Sequence, residues 1–339
     1  MKKLRVLALV HDHLVPPEDT TGIDILEAEW KMEYDVIETL REMGHEVRVL
    51  GISDNPGSIR PIAGLFKPHI VFNLMEAFAG VTTFDQNVVS YLELLRLPYS
   101  GCNPRGLILA RDKALSKKLL AYHRIPVPEF TVVRRGRKPV LSKKMRYPLI
   151  VKSLFFEASA GISQASVVEN HDQLARRVQF IHDNLGTAAI VEQFIEGREL
   201  YVGVAGNDRL DVFPVWEMSF AKMPENRWHI ATERVKWSTQ YQKKHGIMTD
   251  AATLDPSEAD RIQRIAKRAY RALDLNGYAR VDVRLDAEGR PYVLEANPNP
   301  NLAYGEDFAE SAEKGGLVYE RLLERILALG LRWEPERTG

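Results

Sequence analysis

Four side chains near the C-terminus define the chemistry this chain is equipped for. In Gly277-Tyr278-Ala279-Arg280-Val281-Asp282-Val283-Arg284 polar and apolar residues alternate, so a strand here places Arg280, Asp282 and Arg284 on one face and Ala279, Val281 and Val283 on the other. After a turn at Asp286-Ala287-Glu288-Gly289, the run Pro291 to Asn297 reads as a second strand with Glu295 and Asn297 on a single face. A hairpin therefore gathers Asp282, Glu295 and Asn297. Two carboxylates and an amide suit a hard cation, magnesium or manganese, that completes its shell with water and phosphate oxygens. Arg280 beside them is placed to meet developing negative charge. The plain alternative is an exposed hairpin laced with salt bridges. The abrupt stop of the apolar strand in Pro298-Asn299-Pro300-Asn301 favours the site.

Two further segments carry chemistry only in company. Tyr147-Pro148-Leu149-Ile150-Val151-Lys152 is a buried-type strand ending in a lysine, followed by the small-residue stretch Glu157-Ala158-Ser159-Ala160-Gly161-Ile162-Ser163, where backbone amides can approach an anion closely. Alone, this is a snorkelling lysine and a plain turn. Downstream, Ala189 to Ile195 forms a strand that breaks at Glu196-Gly197 before a second strand, Arg198 to Val204, with Glu192 and Glu199 flanking the break.

The elements that must position these groups follow from pattern and length. The chain has 339 residues, enough for two or three units. In the first hundred, short apolar runs (Leu4–Val10, Glu46–Leu50, His69–Phe72 and Leu97–Ser100) alternate with amphipathic stretches (Ala28–Met43, Asp85–Leu95), the mark of an open α/β layer. A helix is expected over Arg105–Tyr122, ending before Ile125-Pro126-Val127-Pro128. The cluster Arg134-Arg135-Gly136-Arg137-Lys138 reads as a solvated loop. Lys plus Arg equals Asp plus Glu at 46 each, so no global field gathers nucleic acid or an anionic membrane. The single cysteine, Cys102, allows no intrachain disulfide and has no base nearby in sequence, so it is read as a packing residue. No run of about 18 apolar residues occurs and the N-terminus resembles a first strand rather than a signal peptide, so a cytoplasmic protein is expected.

In order and spacing, Arg111-Asp112-Lys113, Leu149 to Lys152, the Glu157–Ser163 loop, Val191 to Ile195, Gly197 to Leu200, Gly277 to Asp282 and Leu294 to Asn297 resemble the ATP-grasp superfamily, and within it the D-alanine–D-alanine ligases. The resemblance runs from about Pro98 to Leu329. It implies an α/β fold with an α+β core: an N-terminal open α/β unit (1–104), a central unit (105–189) and a C-terminal metal-bearing unit (190–339), the last two clamping ATP. It further implies that Lys113, Lys152 and Lys236 contact phosphates, that Glu157, Ser159, Ala160 and Gly161 belong to a lid, and that Glu192 accepts from the adenine amino group. Gln193, Phe194 and Ile195 would form the hinge, Glu199 would accept from ribose, and Leu294 would pack under the base. Asp282, Glu295 and Asn297 would hold magnesium, while Arg280, Lys236 and Ser159 would act at the reacting centre. The implied reaction joins a carboxylate to an amine through an acyl phosphate. The implied partners are small molecules, an amino acid or short peptide, with a homodimer as the family's frequent state.

The first 95 or so residues depart from that pattern. Val10-His11-Asp12-His13-Leu14-Val15-Pro16-Pro17-Glu18-Asp19 stands in place of a His-Glu-Val-Ser stretch, and Asn73-Leu74-Met75-Glu76-Ala77-Phe78 in place of a His-Gly-rich loop. Trp237 replaces a tyrosine, and Tyr304-Gly305-Glu306-Asp307 a serine-bearing segment that holds the acceptor's carboxylate. These changes point away from D-alanine. Glu306 and Asp307 near an acceptor site would favour an extra amine or guanidinium, although an acidic helix start is the plainer reading of them. His11 and His13 read as a polar loop rather than metal ligands. Two other classes remain open at this stage: another ATP-grasp chemistry, such as carboxylation or phosphohistidine transfer, and a non-catalytic ATP-binding protein.

Overall fold

In the computed structural model, residues 2–156 and 159–334 are described, and three sheets organise them. The first contains β1 (Arg5–His11), β2 (Glu46–Ile52) and β3 (Ile70–Asn73), all parallel in the order β2-β1-β3, with helices α1 (Lys31–Glu42), α2 (Ile59–Phe66) and α3 (Asp85–Leu94). Val6 through Val10 in β1 are fully buried, as a parallel strand covered on both faces requires. The expected strand Leu97–Ser100 is shorter than its pattern. It meets β3 through one parallel bridge, Val71 to Tyr99, because β3 has four residues and Pro98 has no N–H to donate. The helical stretch expected over Arg105–Tyr122 is two helices, α4 (Pro104–Arg111) and α5 (Lys113–Tyr122). Asp112 divides them: its carboxylate accepts from Ala114 N and Leu115 N, each at 2.9 Å, and so caps α5.

The second sheet is antiparallel, in the order β4-β7-β5-β6, built from β4 (Phe130–Val133), β5 (Leu149–Ser153), β6 (Val167–Val168) and β7 (Ala189–Gln193), with α6 (His171–Asn184) on one face. Because β7 pairs on both sides within this sheet, the middle unit runs past the boundary expected at 189/190, to Gln193. The crossover from β4 to β5 carries Arg134 to Lys138 as an exposed turn, as its charge suggested.

The third sheet has the path β11-β10-β8-β12-β13, with β9 (Asp211–Val212) on β8. Its other strands are β8 (Arg198–Ala205), β10 (Trp216–Phe220), β11 (Ile247–Ala251), β12 (Tyr278–Leu285) and β13 (Pro291–Pro298); around them lie α7 (Glu233–Trp237), α8 (Thr239–His245), α9 (Pro256–Ala272), α10 (Asp307–Lys314) and α11 (Tyr319–Gly330). The apolar face of β12, with Ala279, Val281 and Val283, packs with Ile262, Ala266 and Ala269 of α9 in the largest core. That burial of a helix stripe on a strand face fixes which side of β12 is left for chemistry. Cys102 is fully buried in the same core, and burial pushes its thiol up to about 12, as befits a packing residue.

Candidate active site

The β12–β13 hairpin delivers the register expected of it. Arg280 pairs with Asn297 and Asp282 with Glu295 across the two strands. The ladder then slips between Asp282 and Val283, which next meets Val293 and leaves Leu294 as an extra residue. Strict alternation would put Leu294 and Glu295 on opposite faces, whereas at this bulge both line the same cleft.

That cleft lies between the second and third sheets. It gathers Lys113, Lys152, Ser159, Ala160, Glu192, Gln193, Phe194, Ile195, Glu199, Lys236, Asp282, Leu294 and Glu295 of the residues expected from the sequence. Gly161, Arg280 and Asn297 border it through their partners rather than lining it, and Glu157 lies outside the described residues. One cation was missed. Lys117 is wholly buried on α5, its Nζ 3.4 Å from Glu192 Oε1, and it donates to the carbonyl of the bulge residue Leu294. The signal was present in Lys113 and Lys117, four apart and thus on one helix face with apolar Ala114 and Leu120 near it.

The charges neutralise one another in pairs. Lys152 lies 3.3 Å from Glu192 Oε2, and Lys113 lies 3.7 Å from Glu295 while donating to Phe156 O at 2.9 Å. Burial lowers the pKa of Lys113 and of Lys117, with Glu295 and Glu192 respectively opposing it. For Lys152 burial acts in the same sense, but Glu192 and Glu295 outweigh it and its pKa is raised. Burial would raise Glu295, yet Lys113, Lys152 and Lys236 hold it down at about 2. Glu192 is likewise lowered, Lys117 and Lys152 overcoming its burial. With the lysines lying on the carboxylates, the cleft retains only about 70 Å³ of free space.

At the adenine end expected from the sequence, the hinge is largely self-satisfied. Gln193 N donates to Glu129 O at 2.7 Å and Phe194 N to Pro148 O at 3.2 Å. Among the described residues Ile195 N–H has no partner, and Glu192 Oε1 has the Lys117 charge nearby but no aligned hydrogen bond. One free donor and one free acceptor, flanked by Ile150, Phe194 and Ile230, fit the edge and faces of a planar heterocycle. Glu199 accepts from Arg284 Nη2 at 2.6 Å and from Tyr201 Oη at 3.0 Å, so it is a fixed carboxylate with lone pairs to spare. The segment before it turns at Gly197, φ 143°, where a Cβ would lie 2.0 Å from Leu285 O.

Arg280 is held on three sides. It donates to Asp282 from Nε at 2.8 Å and Nη2 at 3.0 Å, its guanidinium lies 4.6 Å from the Tyr201 ring centroid, and Nη1 is 3.8 Å from Asp307. Such a clamp fixes the planar fork, and Asp282 outweighs burial to raise its pKa. Burial outweighs Arg280 in raising Asp282. Asn297 Nδ2 donates to Asp282 Oδ2 at 3.0 Å. Asp282, Glu295 and Asn297 are thus neighbours with hard oxygen donors, and rotation of the Asn297 amide would turn its oxygen to a cation. Among the described residues no three His, Cys, Asp or Glu side chains converge as a complete metal cage. Two carboxylates and an amide fit a hard cation that draws its remaining ligands from water or phosphate oxygens.

The lid is docked. Ser159, at φ 61°, donates from Oγ to Ala231 O at 2.6 Å, Gly161 N donates to Glu233 Oε2 at 3.3 Å, and Glu233 N to Ile162 O at 3.1 Å. On the other side Lys31 Nζ donates to Tyr304 O at 2.7 Å and to Asp35 at 2.6 Å, tying α1 to the loop that follows β13. His11 accepts from Ala77 N at 3.3 Å and its ring lies 5.4 Å from that of His13, tilted by 35°, outside the cleft, as a polar strand end.

Residues 119–328 match the family described as D-ala D-ala ligase C-terminus. A Sinorhizobium fredii protein described as uncharacterized protein y4sG is 31% identical over 304 residues, covering 88% of this chain and 86% of that one. The D-alanine–D-alanine ligase of Desulfotalea psychrophila is 30% identical over 263 residues, 77% of this chain and 78% of the relative. Among solved structures, a D-alanine–D-alanine ligase from Bacillus anthracis complexed with ATP superimposes with a TM-score of 0.74 at 20% identity, covering 97% of this chain and 98% of that chain, a likeness of fold.

Proposed function

Because this chain belongs to the D-alanine–D-alanine ligase family, with its ATP-grasp fold, we propose that it is an ATP-dependent ligase joining the carboxylate of one amino-acid-like molecule to the amine of another. The observation that carries this reading is the convergence of Arg280, Asp282, Glu295 and Asn297 with Lys113, Lys152 and Glu192 at one cleft. A non-catalytic nucleotide binder has little use for an arginine clamped in a fixed orientation beside the metal-type carboxylates.

A carboxylate is a poor electrophile at neutral pH. Attack of its oxygen on the terminal phosphorus of ATP forms the acyl phosphate and releases ADP. Lys113, Lys152 and Lys236 offset the repulsion between carboxylate and triphosphate, and since Lys113 and Lys152 now lie on Glu295 and Glu192, nucleotide entry exchanges internal ion pairs for phosphate contacts. Ile195 N–H and Glu192 Oε1 would meet the base, and Glu199 the ribose hydroxyls. A divalent cation, magnesium or manganese, held by Asp282, Glu295 and Asn297 would neutralise phosphate charge. The amine then attacks the acyl carbon, Arg280 stabilises the oxyanion of the tetrahedral adduct, and phosphate leaves as the amide forms. The docked segment from Ser159 to Ser163 excludes water, which would otherwise hydrolyse the acyl phosphate.

D-alanine itself is the second reading, and the relatives' names favour it. The altered loops at the ends of β1 and β3, with Glu306 exposed at the start of α10, favour a different pair of substrates, one of them bearing an additional cationic group. The deciding experiment is a phosphate-release screen of amino acids and dipeptides in pairs, followed by product mass. Release that needs both partners, with a product lighter than their sum by one water, supports ligation. ATP binding without turnover across the panel would leave a binding module instead.

A further inference from the structure

Helix α6 has two stripes of opposite character. Leu174, Val178 and Ile181 pack into the core of the second sheet. Gln173, Arg176, Arg177 and Phe180, at helical spacing on another side, line an open cavity of about 490 Å³ behind the lid. The facing wall is Trp228 and the lid-side residue Gln164, which are locked together by Gln164 Nε2 donating to Trp228 O at 2.9 Å and Trp228 N donating to Gln164 Oε1 at 2.8 Å.

The composition of this cavity is that of a binding site. Arg176 and Arg177 line it, and among the described residues neither has a carboxylate at ion-pair distance. Arg177 is buried, with 7% of its surface exposed; its Nη2 donates to Ser166 Oγ at 2.7 Å and to Gly161 O, and its Nε has no acceptor. Burial alone pulls its pKa down, with no acid opposing. The Arg177 guanidinium lies 4.4 Å from the ring centroid of Phe180, and that ring remains 39% exposed, a large apolar surface left facing water. One acid, Glu169, stands on the rim. An uncompensated pair of arginines beside an open aromatic face suits an oxyanion carried on a planar apolar body.

Both ends of the cavity touch the catalytic cleft. Arg177 holds the lid through Gly161 O, and Trp228 meets the hinge residue Phe194 edge-on at 5.2 Å between ring centroids. We propose that this cavity is a second ligand site, for a small phosphate or carboxylate bearing an aromatic group, and that its occupation holds the lid closed and tightens nucleotide binding in the cleft. The site is distinct from the cleft, although its effect on nucleotide rests on the reading of the cleft given above.

Calorimetric titration of the full chain with phenyl phosphate and with benzoate, in the presence of magnesium and saturating AMP-PNP so that the cleft is filled, tests the site and separates phosphate from carboxylate. Saturable binding of either probe is expected, weakened about tenfold or more by Arg176→Glu and severalfold by Phe180→Ala, both surface changes that leave the core untouched. No saturable binding of either probe up to about 10 mM, or binding indifferent to both substitutions, overturns the site. The reciprocal titration is expected to show AMP-PNP binding at least about fivefold tighter with the probe present. Unchanged AMP-PNP affinity would overturn the coupling. Failure of the nucleotide reading looks different, as AMP-PNP itself would not bind.

Discussion

The two walls that meet at Arg280 are built in different ways. On one side Lys113 and Lys117 project from α5, Lys152 from β5, Glu192 from β7 and Glu295 from β13, so backbone hydrogen bonding sets each position and every charge has an opposite charge within 4 Å. On the other side the residues after Pro298 form a loop that reaches α10 only at Asp307 and is tied to α1 through Lys31, Asp35 and Tyr304. A wall made of strands can hold a constant ligand, and a wall made of loop can change its ligand without disturbing the sheets. On the proposed function, the strand wall would serve the nucleotide and the loop wall the substrates, where the sequence departs most from the family's motifs.

Arg280 sits where the walls join, so its replacement gives the largest effect. Arg280→Lys keeps the charge but loses the bidentate hold on Asp282 and the stack on Tyr201. We expect kcat for ligation to fall by roughly two to three orders of magnitude, the cost of removing an oxyanion donor, with the ATP KM changed by less than about threefold. Steady-state kinetics decide it. A variant with unaltered kcat would break the comparison, making Arg280 part of the structural wall alone.

A smaller effect distinguishes the paired carboxylates of the strand wall from an unpaired one on the loop side. Glu33, in the first turn of α1, is 1% exposed with no hydrogen-bond partner for either oxygen among the described residues, and burial raises its pKa to about 7, with Glu76 adding repulsion. Its folded pKa lies above the ordinary 4.5. The unfolded chain therefore loses this proton first, and stability falls as pH rises from about 4.5 to 7. Glu295, held at about 2, has the opposite sign: its contribution is present above the ordinary value of 4.5 and fades as pH falls toward 2. Glu33→Gln should leave Tm near its wild-type value at pH 5 and raise it at pH 8 by about 3–4 °C, the equivalent of roughly 2–3 kcal/mol in a chain of this size. Thermal melts at the two pH values that show equal shifts would sink this assignment.

Legibility in the sequence followed the same division. Asp282, Glu295 and Asn297 could be grouped in advance because side chains on paired strands alternate with a period of two, and that period survives folding. Leu294 was expected under the base by resemblance alone, and it lines the cleft because of a bulge that nothing in Val293-Leu294-Glu295 announces. Lys117 escaped notice because a lysine in an amphipathic helix ordinarily faces water, and only the tertiary placement of Glu192 gives it a buried partner. The break between α4 and α5 lay in Asp112, a good N-cap set in an otherwise continuous helical pattern. Loop residues such as Ala77 and Glu306 have no period to read, so the contacts of the loop side waited on the structure.

The finest probe of the comparison is the pair Glu306 and Asp307, adjacent in sequence and unequal in surroundings. Asp307 lies 3.8 Å from Arg280 Nη1 and so already answers a cation of the chain's own. Glu306 caps α10 with its backbone, makes no side-chain capping bond and is exposed. If the loop wall recognises an amine acceptor with a second positive group, the carboxylate free to meet it is Glu306, and solvent screening limits the gain to about 1 kcal/mol. Glu306→Gln should then raise the KM for a basic amine roughly fivefold, leave the KM for a neutral amine of similar size unchanged, and leave kcat for both within about twofold. Equal effects on basic and neutral acceptors would make Glu306 an acidic helix start and nothing more. The specificity of the loop wall would then have to come from contacts other than charge.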